Sequence, residues 1–121
     1  MDPTPSTEAA TRAGEQLAAV TNGIVKLFRD YYCRGPTKAK SYLLDDRIIV
    51  CVLEDTMTTV EKTLAECGHG HKVRYVRLTF QEAMADEFKR TVTEAIGRKV
   101  VAYHSQLTLE PDIGFEFFIL E

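Results

Sequence analysis

Six apolar residues in a row, Ile48 to Leu53, restrict what this chain can fold into more than any other stretch. Their β-branched and aliphatic side chains predict a strand. Successive strand residues point to opposite sides, so Ile48, Val50 and Val52 line one face while Ile49, Cys51 and Leu53 line the other. Neither set tolerates water. A strand apolar on both sides belongs in a sheet that is covered on both sides.

The neighbouring sequence supplies the sheet. Thr37 to Leu44 and Arg47 to Glu54 alternate around Asp45-Asp46, which predicts a hairpin, although Asp-Asp is a weaker turn signal than Asn-Gly. A second hairpin is predicted from Arg98 to Leu109 and Ile113 to Leu120, around Glu110-Pro111-Asp112. Elsewhere the apolar period lengthens. Leu17, Val20, Ile24, Leu27, Phe28 and Tyr31 share one stripe of a helix from about Thr7 to Tyr32, capped by Ser6 or Thr7 and stopped by Gly35-Pro36. Such a helix is about 39 Å long, more than a small domain covers, so part of it is expected to lie against another chain. Thr58, with Glu61 three residues on, forms a capping box. It opens a short helix carrying Val60, Leu64 and Cys67, which Gly68 ends. Val73, Val76, Phe80, Met84, Phe88, Val92 and Ile96 then predict a long helix from about Lys72 to Ile96, closed by Gly97.

Residues 1–7, with two prolines and no apolar period, are expected to form a flexible tail, and 8–121 a single domain. The order α-ββ-αα-ββ predicts an α+β fold: a four-stranded, mainly antiparallel sheet from two hairpins, with helices on one face. The other face, carrying Leu44, Ile49, Cys51, Leu53, Val100, Ala102 or their alternates, has no element of this chain left to cover it. A second copy is the economical cover, so a homodimer is expected.

A chain of 121 residues can bury a core without disulfides or a metal. A net charge of −3 gives no general attraction to nucleic acid phosphates. The apolar runs fall far short of the ~20 residues of a membrane-crossing helix, and the N-terminus lacks the basic-then-apolar pattern of a secretory signal. The expectation is a cytoplasmic protein with no direct membrane insertion. Cys33, Cys51 and Cys67 are odd in number and form no CxxC, so they read as reduced thiols, with Cys51 buried.

Chemistry is sparse. In "AECGHGHKV", residues 65 to 73, Cys67, His69 and His71 are zinc-ligand types, and His104 is a candidate to join them. This supports an alternative reading as a small metal-dependent enzyme. Against it, Cys67 ends an apolar stripe, the glycines serve the backbone, and both histidines suit a helix C-terminus; no cofactor is therefore expected. A nucleophilic Cys67 would need His69 or His71 to face it, and residues two apart on a turn rarely do. Glu82, Asp86, Glu87 and Glu94, mixed with Lys89 and Arg90, read as a solvated helix face. Phosphate loops, nucleotide fingerprints and serine elbows are absent from the sequence. Basic residues gather around the first hairpin and the start of the long helix. Among them Arg34, Lys38, Lys40, Arg74 and Arg77 are candidates to bind an anion or an acidic partner surface, or to protect strand edges.

The stretches "RGP" at Arg34 to Pro36, "VCVLEDTMTTVEKTLAECG", "VRYVR" and "AIGRKVVAYHSQLTLEPDIGFEFFIL" follow one another in an order that resembles the bacterial MpsC-like (DUF2294) family. The resemblance spans Leu17 to Leu120 and matches at Arg34, Gly35, Pro36, Thr58, Glu61, Gly68 and Arg77. Met57 departs from the family's usual Leu, and the "GHGH" segment is not a family signature. The resemblance implies the small soluble member of a membrane system for sodium translocation, membrane-potential generation and inorganic-carbon supply. It brings no catalytic residues. The expected function is a non-enzymatic accessory or regulatory subunit beside a membrane transporter subunit, with an anion-sensing module as a further alternative.

Overall fold

The computed structural model describes residues 7–121; most of the expected tail, residues 1–6, lies outside them. The elements are α1 (Thr7–Tyr32), β1 (Lys38–Leu44), β2 (Ile48–Glu54), α2 (Thr59–Glu66), α3 (Gly70–Ile96), β3 (Val100–Thr108) and β4 (Ile113–Leu120). The fold is α+β in the expected order. Its sheet is antiparallel with strand order β1-β2-β4-β3, so each hairpin keeps its own pairing and the two join through β2 and β4.

Local rules explain the boundaries. Asp45 and Asp46 both take φ of 51°, the left-handed geometry of the central pair of a tight hairpin turn, and Arg47 N–H closes it on the Leu44 carbonyl at 3.0 Å, so that three residues separate the paired Leu44 and Ile48. The capping box forms as expected: Glu61 N–H donates to Thr58 Oγ1 at 3.2 Å and Thr58 N–H to Glu61 Oε1 at 2.9 Å. Gly97 ends α3 at φ 72°, its N–H returning to the Thr93 carbonyl. Where α1 crosses α3, a Cβ on Gly23 would lie 2.5 Å from the Thr91 methyl, so only glycine permits this approach.

The core lies between the sheet and the α1/α3 layer. Val20, Ile24, Leu27 and Phe28 from α1 and Phe88 and Val92 from α3 meet Ile49, Cys51, Leu53, Val100, Phe118 and Leu120 from the sheet. Of the two sets that the sequence left open for the other face, Ile49, Cys51, Leu53 and Val100 face the helices, and the open side carries their alternates together with Leu44 and Ala102. The strand register arranges that open side in rows across the sheet. One row is Leu44, Ile48, Ile119 and Ala102. The next is Tyr42, Val50, Phe117 and His104, followed by Lys40, Val52, Phe115 and Gln106, and then by Lys38, Glu54, Ile113 and Thr108.

Three helix stripes also shift. Tyr32 rather than Tyr31 turns inward on α1. On α2, Val60 is 69% exposed and Cys67 is exposed, leaving Leu64 against the core. On α3, Val76 is 61% exposed while Arg77 is 3% exposed. The residues at 73, 77, 84, 88 and 92 keep a helical period, and a buried guanidinium occupies the place expected for valine.

Candidate functional site

The link from β2 to α2, residues 55–58, is held by polar side chains from three distant parts of the chain. Asp112, in the β3–β4 turn, accepts from Thr56 N–H and its hydroxyl at 3.1 Å each, and from Met57 N–H at 2.9 Å. Arg34, just beyond α1, donates to the Met57 carbonyl at 3.1 Å and to the Asp55 carboxylate at 2.7 Å. Arg77 reaches in from α3. It donates to the Thr56 carbonyl at 2.7 Å and forks onto the Glu61 carboxylate at 2.6 and 2.7 Å, with its guanidinium carbon 3.9 Å from the Tyr32 ring centre.

Burial and pairing oppose each other here. Burial works against ionising Glu61, but the Arg77 fork and the capping hydrogen bonds of Thr58 outweigh it and hold the carboxyl below its usual range. Burial likewise opposes the Arg77 charge and Glu61 more than restores it. Asp55 is lowered chiefly by the hydrogen bond from Lys62, with Arg34 adding to it. A paired guanidinium whose partners are all protein groups is a brace: it ties α3, α2 and the β2 exit together.

A second polar cluster crosses the helix-facing side of the sheet. Ser41, Cys51, Glu116 and Ser105 are all buried and lie side by side on β1, β2, β4 and β3. At one end the Thr21 and Ser41 hydroxyls are 2.7 Å apart. At the other, the Tyr103 hydroxyl donates to Glu116 Oε2 at 2.7 Å, and its ring stacks between Phe88 and Phe118. Glu116 is 1% exposed, and that burial pushes its carboxyl up to about 7 against the hydrogen bonds of Tyr103 and Ser105 and the charge of Arg77. Burial also pushes the Cys51 thiol up to about 11, keeping it neutral and weakly nucleophilic. A cavity of about 130 Å³ lies between α3 and β3, bordered by Arg74, Arg77, Gln81 and Ser105. Among the described residues, every buried side-chain nitrogen and oxygen has a hydrogen-bond partner.

The metal-ligand types do not assemble. His69 and His71 have ring centres 6.3 Å apart beside the exposed Cys67, whereas His104 stacks on Phe117 on the open face. Among the described residues no group of three or more His, Cys, Asp or Glu could hold a metal ion. The five basic candidates are distributed over separate surroundings. Arg34 and Arg77 belong to the brace; Arg74 is exposed beside the cavity; Lys38 and Lys40 stand on β1, with the Lys40 ammonium 5.1 Å from the Tyr42 ring centre.

Sequence reasoning did not find Asp112, Tyr103 or Glu116. Asp112 reads as a turn residue, and Glu116, between two phenylalanines, reads as solvent-facing. The available signal for Arg77 was its helical spacing from Val73 and Phe88.

The fold and these clusters define a class: a small α+β domain whose buried charges brace its own elements while apolar side chains stand on a sheet face that none of the described helices covers. The model of the family described as Na+-translocating membrane potential-generating system (MpsC) matches residues 12–121, and the chain belongs to that family. No curated protein and no solved structure matches the chain. Among the described residues no helix is long and apolar enough to cross a membrane.

Proposed function

We propose that this chain is a non-enzymatic accessory or regulatory subunit of a membrane cation or inorganic-carbon transport system, acting from the cytoplasm as a homodimer. Family membership supplies the link to a Na+-translocating system. The observation that carries the accessory role is the contrast between interior and surface. The buried arginine, carboxylates and hydroxyls are engaged with one another, and large apolar groups such as Tyr75 (71% exposed), Val60 and Val76 face outward, as on a protein that works by contact. Its experiment is affinity purification of the tagged chain from detergent-solubilised native membranes. Recovery of a polytopic cation-transport subunit, together with loss of sodium-dependent membrane potential in cells lacking the chain, is the expected result. Normal membrane potential in such cells, with the chain recovered free of transport subunits, overturns the proposal.

A further inference from the structure

The open face of the sheet is patterned as a core. On β4 the outward set, Ile113, Phe115, Phe117 and Ile119, is wholly apolar, whereas the inward set contains Gly114 and the Glu116 carboxylate. The two open-face rows nearest the β1–β2 turn, from Leu44 to Ala102 and from Tyr42 to His104, contain no formally charged side chain. Polar groups collect at the other end, at Lys38, Lys40 and Glu54.

The sizes on this face are unequal in a way that fits one occupant. The two central strands carry opposite shapes: Phe115 and Phe117, their rings stacked 6.2 Å apart, stand on β4, while Val52 and Val50 stand beside them on β2. Building on the homodimer proposed above, we infer that the open face packs against the same face of a second copy about a two-fold axis parallel to the strands, running between β2 and β4. This operation lays β4 of one copy over β2 of the other. Phe117 then lies over the partner's Val50 and Phe115 over the partner's Val52, and the reciprocal pairs follow by symmetry, so large meets small in the two middle rows, while Ile119 lies over the partner's Ile48 and Ile113 over the partner's Glu54 at the two ends. At the flanks β1 lies over the partner's β3, which places Tyr42 over His104 and Lys40 over Gln106. No like charges face each other. A two-fold axis across the strands would instead set phenylalanine against phenylalanine, valine against valine, and the apolar rows against Lys38 and Glu54.

Sheets packed face to face lie about 10 Å apart with strands within roughly 30° of each other. Four strands of four outward residues present on the order of 500 Å² per copy by standard strand spacings. A pair therefore buries roughly 1,000 Å², at the small end of specific interfaces, which fits a dimer that dissociates on dilution.

Sedimentation equilibrium of the purified chain over a dilution series tests this, with circular dichroism as the control for folding. The expected species range from 13.6 kDa to twice that mass. Val50→Phe and Phe117→Val are each expected to weaken self-association about tenfold or more, since a core-like mismatch costs above about 1.4 kcal/mol. The double variant, which again sets phenylalanine over valine, is expected to recover dimerisation to within about threefold of the parent chain. Phe117→Lys is expected to give a folded monomer. A chain that stays monomeric at every concentration overturns the inference. So does a dimer that tolerates Phe117→Lys but is lost with Val76→Lys on α3, and so does a double variant weaker than both singles. The measurement uses the isolated chain, so its failure leaves the link to the transport system standing, and a failed co-purification leaves the dimer standing.

Discussion

The two sides of the sheet have been assembled from the same four strands by opposite rules. The covered side places a row of polar groups, Ser41, Cys51, Glu116 and Ser105, at its centre and surrounds it with Ile49, Leu53, Phe118 and the helices. The open side places phenylalanine and valine at its centre and leaves lysine, glutamate and threonine at one end. The difference teaches that polarity alone does not mark solvent. A carboxylate can sit in a core if hydroxyls from the same chain meet it, and a phenylalanine can sit outside one if its cover comes from elsewhere.

The comparison is sharpened most by truncating neighbours on β4. Phe118→Ala, on the covered side, is expected to lower unfolding free energy by about 4 kcal/mol, because it empties a fully buried site in contact with Tyr103. Phe117→Ala, one residue away, is expected to cost the dilute monomer only about 1 kcal/mol. Urea denaturation measures both, and equal losses would break the distinction between the sides.

Arg77→Ala is the next largest. It leaves Glu61 half-buried without its counter-ion and removes the cation from the Tyr32 face, for an expected loss of about 3 kcal/mol by the same measurement.

Buried Glu116 and half-buried Glu61 give opposite pH dependences. For Glu116 the folded value, about 7, lies above the ordinary 4.5 of the unfolded chain, so the folded state keeps a proton that the unfolded chain has released. Its contribution is therefore most favourable below pH 4.5 and declines as pH rises towards 7, by up to about 3 kcal/mol. Glu61, held below its usual range, contributes above pH 4.5 and loses that contribution as the solution is acidified through its folded value. The net effect of the two is greatest stability in mild acid. Glu116→Gln is expected to flatten the decline between pH 4.5 and 7 in a series of thermal melts, while the acid limb persists. An unchanged slope in the variant would remove Glu116 as its source.

An effect as small as that of Phe117→Ala is expected at the brace's edge. Thr58→Ala removes the cap of α2 and should lower stability by about 1 kcal/mol in urea denaturation.

Much of this architecture is legible in the sequence because its signals are local. The Thr58/Glu61 box, the Asp45-Asp46 turn and the stripe from Val20 to Phe28 each depend on residues within a few positions of one another. The orientation of the sheet is not legible, because β2 is apolar on both sides and alternation gives no preference between them. On β4 the alternation points the wrong way: Glu116 looks exposed until Tyr103 and Ser105 are brought to it by β3. Arg77 is hidden for the same reason. Its helical period places it on the buried stripe, but its charge is acceptable there only because Glu61, sixteen residues earlier, folds back against it.

The joining of the hairpins through β2 and β4 also has a kinetic side. Ile48 pairs with Ile119, so the centre of the sheet forms only when segments about seventy residues apart along the chain find each other. Each hairpin can close early, but the seam between them must wait for that long-range encounter, and a chain of this size folds more slowly than a helical bundle of equal length. Until the seam is made, the inner edges of β2 and β4 present unpaired backbone to any passing strand, which makes this the interval in which misassembly is most favoured.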